Sequence, residues 1–175
     1  MRLSTLLLAL GAITLSACFP LRAIQRNLAA PPMRTLPSKI RDARRADARI
    51  AVLWVGHATV LVQMDDIFLL TDPVFTRSLA QVSPRLVEPG IDPENLPPLA
   101  AVVVSHMHFD HLSFGSLDRI EHRTPVVLVA PGVRSSMPRY DFEIRELERW
   151  ASYEHDGLRI TAVPVQHVGS GPVPP

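Results

Sequence analysis

Three histidines and one aspartate, His106, His108, Asp110 and His111, fall within six positions directly after the apolar run Ala101-Val102-Val103-Val104. The whole chain of 175 residues has only seven histidines, so the concentration is a feature to explain. Imidazole nitrogen and carboxylate oxygen are good ligands for Zn²⁺ and similar ions, at about 2.0 to 2.2 Å. In extended backbone, side chains two apart point the same way, so His106 and His108 can grip one ion together. Asp110 and His111 come after the chain has turned and can address a second position nearby. Two ions about 3.5 to 4 Å apart would hold a bridging hydroxide and polarise a substrate oxygen. Without metal, this many polar groups at a strand end would each need a hydrogen-bond partner. Solvated loop histidines are the plainer alternative, and the tight spacing weighs against them.

The elements that must position this cluster read as α/β. "RIAVLWV" and "TVLVQM" have strand character, and Asp65-Asp66 make a turn before the strand "IFLLT". A proline-broken loop runs from Pro73 to Pro98, and the buried strand "AAVVVS" leads into the cluster. Ser113 is placed to cap a short helix whose Leu117 and Ile120 face inward. "PVVLVA" is a further buried strand, Pro131-Gly132 opens a second short helix, and "FEIREL" and "LRITAVPV" complete the strands. The order β-β-β-loop-β-α-β-α-β-β implies mixed α/β layering in one domain over residues 50–175. Seventeen prolines fit strands joined by rigid loops better than a helix bundle.

The N-terminal residues have another character. Arg2 precedes an apolar stretch from Leu3 to Leu15, followed by Ser16-Ala17-Cys18. A positive start, a short apolar core and small residues describe a secretory signal over residues 1–17. The stretch is short of the roughly 20 apolar residues a membrane span needs. "LSAC" resembles the lipobox of bacterial lipoproteins, which makes Cys18 a lipid attachment site; an ordinary signal peptide with a chance cysteine is the alternative. Cys18 is the only cysteine, so an intrachain disulfide is excluded. Residues 21–49 carry eight Lys or Arg against Asp42 and Asp47, while residues 50–175 carry nine arginines against fifteen acids. Residues 18–49 thus read as a lipidated basic tether, either lying along anionic headgroups or simply solvated. The stretch is too short and too mixed in sign for nucleic-acid binding. The expected location is the periplasmic side of a bacterial cell envelope, with the membrane as partner through the anchor.

The motif H-x-H-x-D-H after an apolar strand resembles the signature of the metallo-β-lactamase superfamily, matched by His106, His108, Asp110 and His111. "WVGHATVLVQMDDIFLLTDPVF", "PRLVEPGIDPENLPPLAAVVVSHMHFDHLS" and "ITAVPVQH" are similar to the branch of N-acyl-phosphatidylethanolamine-hydrolysing phospholipase D and its bacterial relatives. The resemblance covers about residues 50–167 and implies an αββα sandwich, two zinc ions and phosphodiester hydrolysis by metal-bound hydroxide. It assigns His106, His108 and His167 to one ion, and Asp110 and His111 to the other, with Asp110 also orienting the attacking water. It makes Asp72, in "LTDP", a support of the site, against a plain turn aspartate before proline. His57, in "WVGHAT", is expected near the metals, against a loop histidine bonded to backbone. His122 and His155 match nothing and are expected at the surface.

Two departures qualify the match. Ser113 stands where this branch commonly has aspartate, and the bridging aspartate and last histidine of the family come from a second half following His167. The expectation is therefore an incomplete sandwich holding one zinc ion, with apolar surface at Val102–Val104 and Val126–Val129 poorly covered and open to self-association. The implied substrate is a small molecule or phospholipid. A lactonase-type hydrolase and an inactive metal-binding fragment are the alternatives.

Overall fold

The computed structural model describes residues 31–80 and 83–165. Its main element is a six-stranded sheet built from β1 (Ile50–Gly56), β2 (Thr59–Met64), β3 (Ile67–Thr71), β6 (Ala101–Val103), β7 (Val126–Val129) and β8 (Glu143–Glu146), side by side in that order. The first three strands are an antiparallel meander: β1 pairs with β2 from Ile50↔Met64 to Gly56↔Thr59, and β2 with β3 from Val60↔Thr71 to Met64↔Ile67. The second turn is Asp65-Asp66, as the sequence suggests, with Asp65 at a φ of 50°. From β3 onward every pairing is parallel, β3 to β6, β6 to β7 and β7 to β8. Parallel neighbours need crossovers. Helix α1 (Phe114–Ile120) makes the one between β6 and β7, and a single 3-10 turn (Val133–Ser136) serves between β7 and β8. Short paired segments β4 (Ser78–Leu79) and β5 (Ser83–Pro84) punctuate the long loop.

Both faces of the central strands are covered, which is why they read as unbroken apolar runs. On one face Leu61, Phe68, Leu70, Val102, Val104, Val127 and Val129 pack against Leu112, Leu117 and Ile120 around α1 and against Ile91, Leu96 and Leu99 of the long loop. On the other, Leu69, Ala101, Val126 and Leu128 meet Tyr153, Leu158 and Ile160. Those three residues belong to a hairpin of β9 (Ser152–His155) and β10 (Leu158–Thr161), of which only the second strand was expected. Its turn is Asp156-Gly157, both at positive φ, a standard hairpin signal. The expectation of poor cover at Val102–Val104 and Val126–Val129 is thereby corrected, since all of these but the half-buried Val103 are buried. The exposed apolar stripe lies on the edge strand β1 instead, where Ile50, Val52 and Trp54 are 69, 66 and 69% exposed. The β9–β10 hairpin covers the β6–β7 side of that face and leaves β1 open.

Residues 31–49 also correct an expectation. Far from being a loose tether, they run against the domain through bridges Arg34↔Val87 and Ile40↔Ile91. Part of their basic charge pairs with acids of the domain: Lys39 with Glu88 and Asp92, and, at the surface, Arg44 with Asp66 and Arg49 with Asp65. The buried amide of Gln63 reaches back to the carbonyls of Arg45 and Asp65 and accepts the Arg45 backbone N–H. Among the described residues no helix is long and apolar enough to cross a membrane. Cys18 and the signal segment lie outside the described residues, as does His167.

Candidate metal centre

The topology brings four chain segments to one end of the sheet: the β1–β2 turn, the carboxyl end of β3, the carboxyl end of β6, and the loop from Ser105 into α1. Carboxyl ends of parallel strands are the usual place for ligands in open α/β sheets. The β1–β2 turn carries His57 at a φ of 54°, after Gly56 at 135°, a conformation that suits glycine and strains other residues. The end of β3 carries Asp72 at a φ of 38°. Its backbone N–H donates to Val103 O at 2.8 Å, and its carbonyl accepts from Thr59 Oγ1 at 2.8 Å.

Asp72 is buried, and its carboxylate is fully engaged. Oδ1 accepts the Ser105 backbone N–H at 2.7 Å, and Oδ2 accepts the Ser105 hydroxyl at 2.8 Å. Nδ1 of His111 lies 2.8 Å from the same Oδ2. With its proton given to Asp72, the His111 ring keeps Nε2 as a lone-pair donor. Ser105 Oγ is also 2.9 Å from Nδ1 of His106, and can accept that N–H while its own proton goes to Asp72. The carboxylate thus selects the His111 tautomer, and the hydroxyl can do the same for His106. Ser105 went unremarked in the sequence, although "VSH" at a strand end offered a hydroxyl directly beside the cluster.

Two groups of donors result. His106 Nε2 and His108 Nδ1 are 3.0 Å apart, in a loop beyond β6 and not on a strand, and the rings of His106 and His111 are 4.1 Å apart between centroids. Separately, His57, Asp110 and His111 each place one ligand atom within 4.8 Å of the others. His57 Nε2 is 3.3 Å from Asp110 Oδ2, and His111 Nε2 is 3.8 Å from it. Ligands on a tetrahedral ion with bonds of about 2.05 Å sit roughly 3.3 Å apart, so these separations fit a metal. Partial burial alone would raise the Asp110 carboxyl, but a backbone N–H, the neighbouring His111 and His57 outweigh it and hold Asp110 below the usual aspartate value. Asp110 and His111 were expected alone at the second position, and the structure places a third candidate donor, His57, beside them. His57, expected as a supporting group, stands level with Asp110 and His111 as a donor. His122 and His155 belong to neither group.

Apolar side chains frame the donors. Met107 and Phe109 project outward between the histidines, and the exposed Trp54 indole donates to His57 O at 2.8 Å. Beside Ser105 a groove of about 960 Å³ runs between the ends of β6 and β7 and the β9–β10 hairpin, past Leu128, Leu147, Ile160 and Val163.

Comparison with known proteins identifies the family. Residues 68–172 match the family described as the beta-lactamase superfamily domain. An uncharacterised protein of Mycobacterium bovis is 34% identical over 82% of this chain and 41% of its own length. N-acyl-phosphatidylethanolamine-hydrolyzing phospholipase D 1 of Caenorhabditis elegans is 34% identical over 49% of this chain and 25% of its own. The chain therefore spans less than half the length of these relatives. Among solved structures, CmlA, a diiron β-hydroxylase from Streptomyces venezuelae, aligns with a TM-score of 0.51 at 21% identity, over 75% of this chain and 25% of that one. A mutant form of CmlA gives 0.55 at 24%, over 70% and 26%. With most of the described domain inside the matched span and the His/Asp cluster at its strand end, the chain belongs to the beta-lactamase superfamily.

Proposed function

We propose that this protein is a metal-dependent hydrolase that cleaves a phosphodiester, with zinc as its metal. The observation that carries the reading is the convergence of His57, Asp110 and His111 on one point, with His111 oriented from behind by Asp72. We assign these three residues to one ion, and His106 and His108, together with His167, to the other. Bound there, zinc supplies Lewis acidity towards a phosphoryl oxygen and acidifies water. The chain's own residues do the rest. Asp72 and Ser105 hold Nδ1 of His111 and His106, so that each Nε2 faces the centre. Asp110, kept ionised, orients the attacking water and accepts its proton. The apolar groove beside Ser105 and the exposed Met107 and Phe109 suit a substrate with an apolar part, such as a phospholipid. The name of the Caenorhabditis elegans relative supports that class, and the diiron relative makes iron the metal to test beside zinc.

The test is turnover of bis-p-nitrophenyl phosphate, phospholipid vesicles and a lactone by the purified chain loaded with zinc or with iron, its metal content measured in parallel. Phosphodiester cleavage that scales with bound zinc is expected. Lactone turnover alone would favour a lactonase, and full metal content with no turnover would leave a metal-binding fragment. Chelation is expected to abolish activity.

We further propose that Cys18 carries lipid and anchors the exported protein at the periplasmic side of the cell envelope, from "LSAC" after the apolar stretch. Mass spectrometry of the mature N-terminus decides this, and an unmodified Cys18 would sink it. Self-association across the open face of β1 belongs to the same proposal and is read by sedimentation.

A further inference from the structure

Arg85 is 4% exposed, and among the described residues no carboxylate pairs with it. Its guanidinium is spent on backbone instead. Nε donates to Thr76 O at 3.2 Å, and Nη2 donates to Val74 O. Nη1 lies against Gly56, close enough that a Cβ on that glycine would meet it at 3.3 Å. Stability alone is a poor account of such a residue. A buried cation without an anionic partner keeps a desolvation cost that an apolar side chain of similar volume avoids. Burial also pulls the guanidinium below its ordinary value. What a guanidinium supplies and an apolar group does not is a planar fork with donors at fixed angles.

The two things this fork joins are the supports of the candidate centre. Val74 and Thr76 belong to the loop that leaves Asp72, and Gly56 is the residue before His57. The rest of that loop is held with equal care. Thr59 Oγ1 donates to Asp72 O and accepts the Val74 N–H at 2.9 Å; Ser116 Oγ accepts the Phe75 N–H at 2.8 Å; Arg119 donates to Phe75 O at 3.2 Å. All of those contacts fix the loop to β2 or to α1. Arg85 alone among them also lies against the Gly56–His57 turn, with Nη1 next to the space a Gly56 side chain would fill.

We propose that Arg85 is a positioning residue for the metal centre: its guanidinium sets the spacing between the Asp72 loop, which orients His111, and the Gly56 turn, which presents His57. The proposal rests on the metal reading above, and the experiment separates the two. Co²⁺ is titrated into the full chain and into Arg85→Lys and Arg85→Met, with Arg159→Ala as a control, and the visible d–d spectrum is recorded with the affinity. A parent chain that binds no Co²⁺ refutes the metal reading itself. Where the parent binds, the expected result is an affinity about tenfold weaker in both Arg85 variants, in the range found for groups that orient metal ligands. Altered band positions are expected in the folded Lys variant, because lysine keeps the charge without the fork. Parent-like affinity and spectrum in both variants overturn the proposal. Unfolding of both variants overturns it as well, since Arg85 would then be a purely structural residue.

Discussion

Nδ1 of His111 lies 2.8 Å from Oδ2 of Asp72, a carboxylate whose two oxygens also accept the backbone N–H and the hydroxyl of Ser105. The aspartate before Pro73 is thus no ordinary turn residue. Its two oxygens gather the strand end that carries the cluster, and through that they select which nitrogen of His111 remains available.

Asp72→Ala is expected to weaken metal binding by about 10- to 100-fold, the usual cost of removing a group that orients a ligand. Competition against a chelator of known affinity measures it. An unchanged affinity would return Asp72 to the role of a turn aspartate.

His57→Ala and His111→Ala are each expected to lower the metal content of the purified chain, and His106→Ala or His108→Ala likewise. His122→Ala is expected to leave it unchanged, since that side chain belongs to neither donor group. Elemental analysis of the five variants is the measurement, and equal content in all of them would refute the assignment.

Leu117→Ala is expected to cost about 2 to 5 kcal/mol of folding stability, as for other fully buried leucines cut to alanine. The side chain is fully buried between α1 and the sheet, so the cavity has no easy route to collapse. Urea unfolding of the variant beside the parent checks it. A cost below about 1 kcal/mol would mean that α1 does not hold this face of the sheet.

Acid is expected to release residues 31–49 before the domain unfolds. The Lys39 ammonium and the Leu36 N–H hold the Glu88 carboxyl below its ordinary value. A carboxyl depressed in the folded state contributes stability that is fully present above its unfolded pKa, about 4.3, and is lost as pH falls through the folded value. Limited proteolysis across pH 3 to 7 reads the release. Glu88→Gln should remove most of its acid dependence, and identical cleavage in parent and variant would count against it.

The sheet was legible wherever one rule dominated. Unbroken apolar runs announced β3, β6 and β7, and Leu117 with Ile120 announced the inner face of α1. The strand β9 was missed because "SYEH" has a single apolar residue, Tyr153, and owes its pairing to β10. The packing of residues 31–49 against the domain was hidden for a different reason. Composition counts charges but not their partners, and the partners Glu88, Asp92, Asp65 and Asp66 lie up to 53 positions away. At the centre, the spacing of His106, His108, Asp110 and His111 exposed most of the donor set. His57 and Ser105 were harder to find, because their proximity depends on how the β1–β2 turn and the end of β6 meet across the sheet.

The approach of His57 to Asp110 joins residues 53 positions apart in the chain. It also joins two parts of the sheet built on different principles, the antiparallel meander and the parallel β6–β8 array. An ion shared there would act as a clasp on the folded state, holding closed a long loop whose entropy otherwise favours opening. Demetallation would then register first as faster amide exchange at the β1–β2 turn, with the array around β6 and β7 keeping its protection.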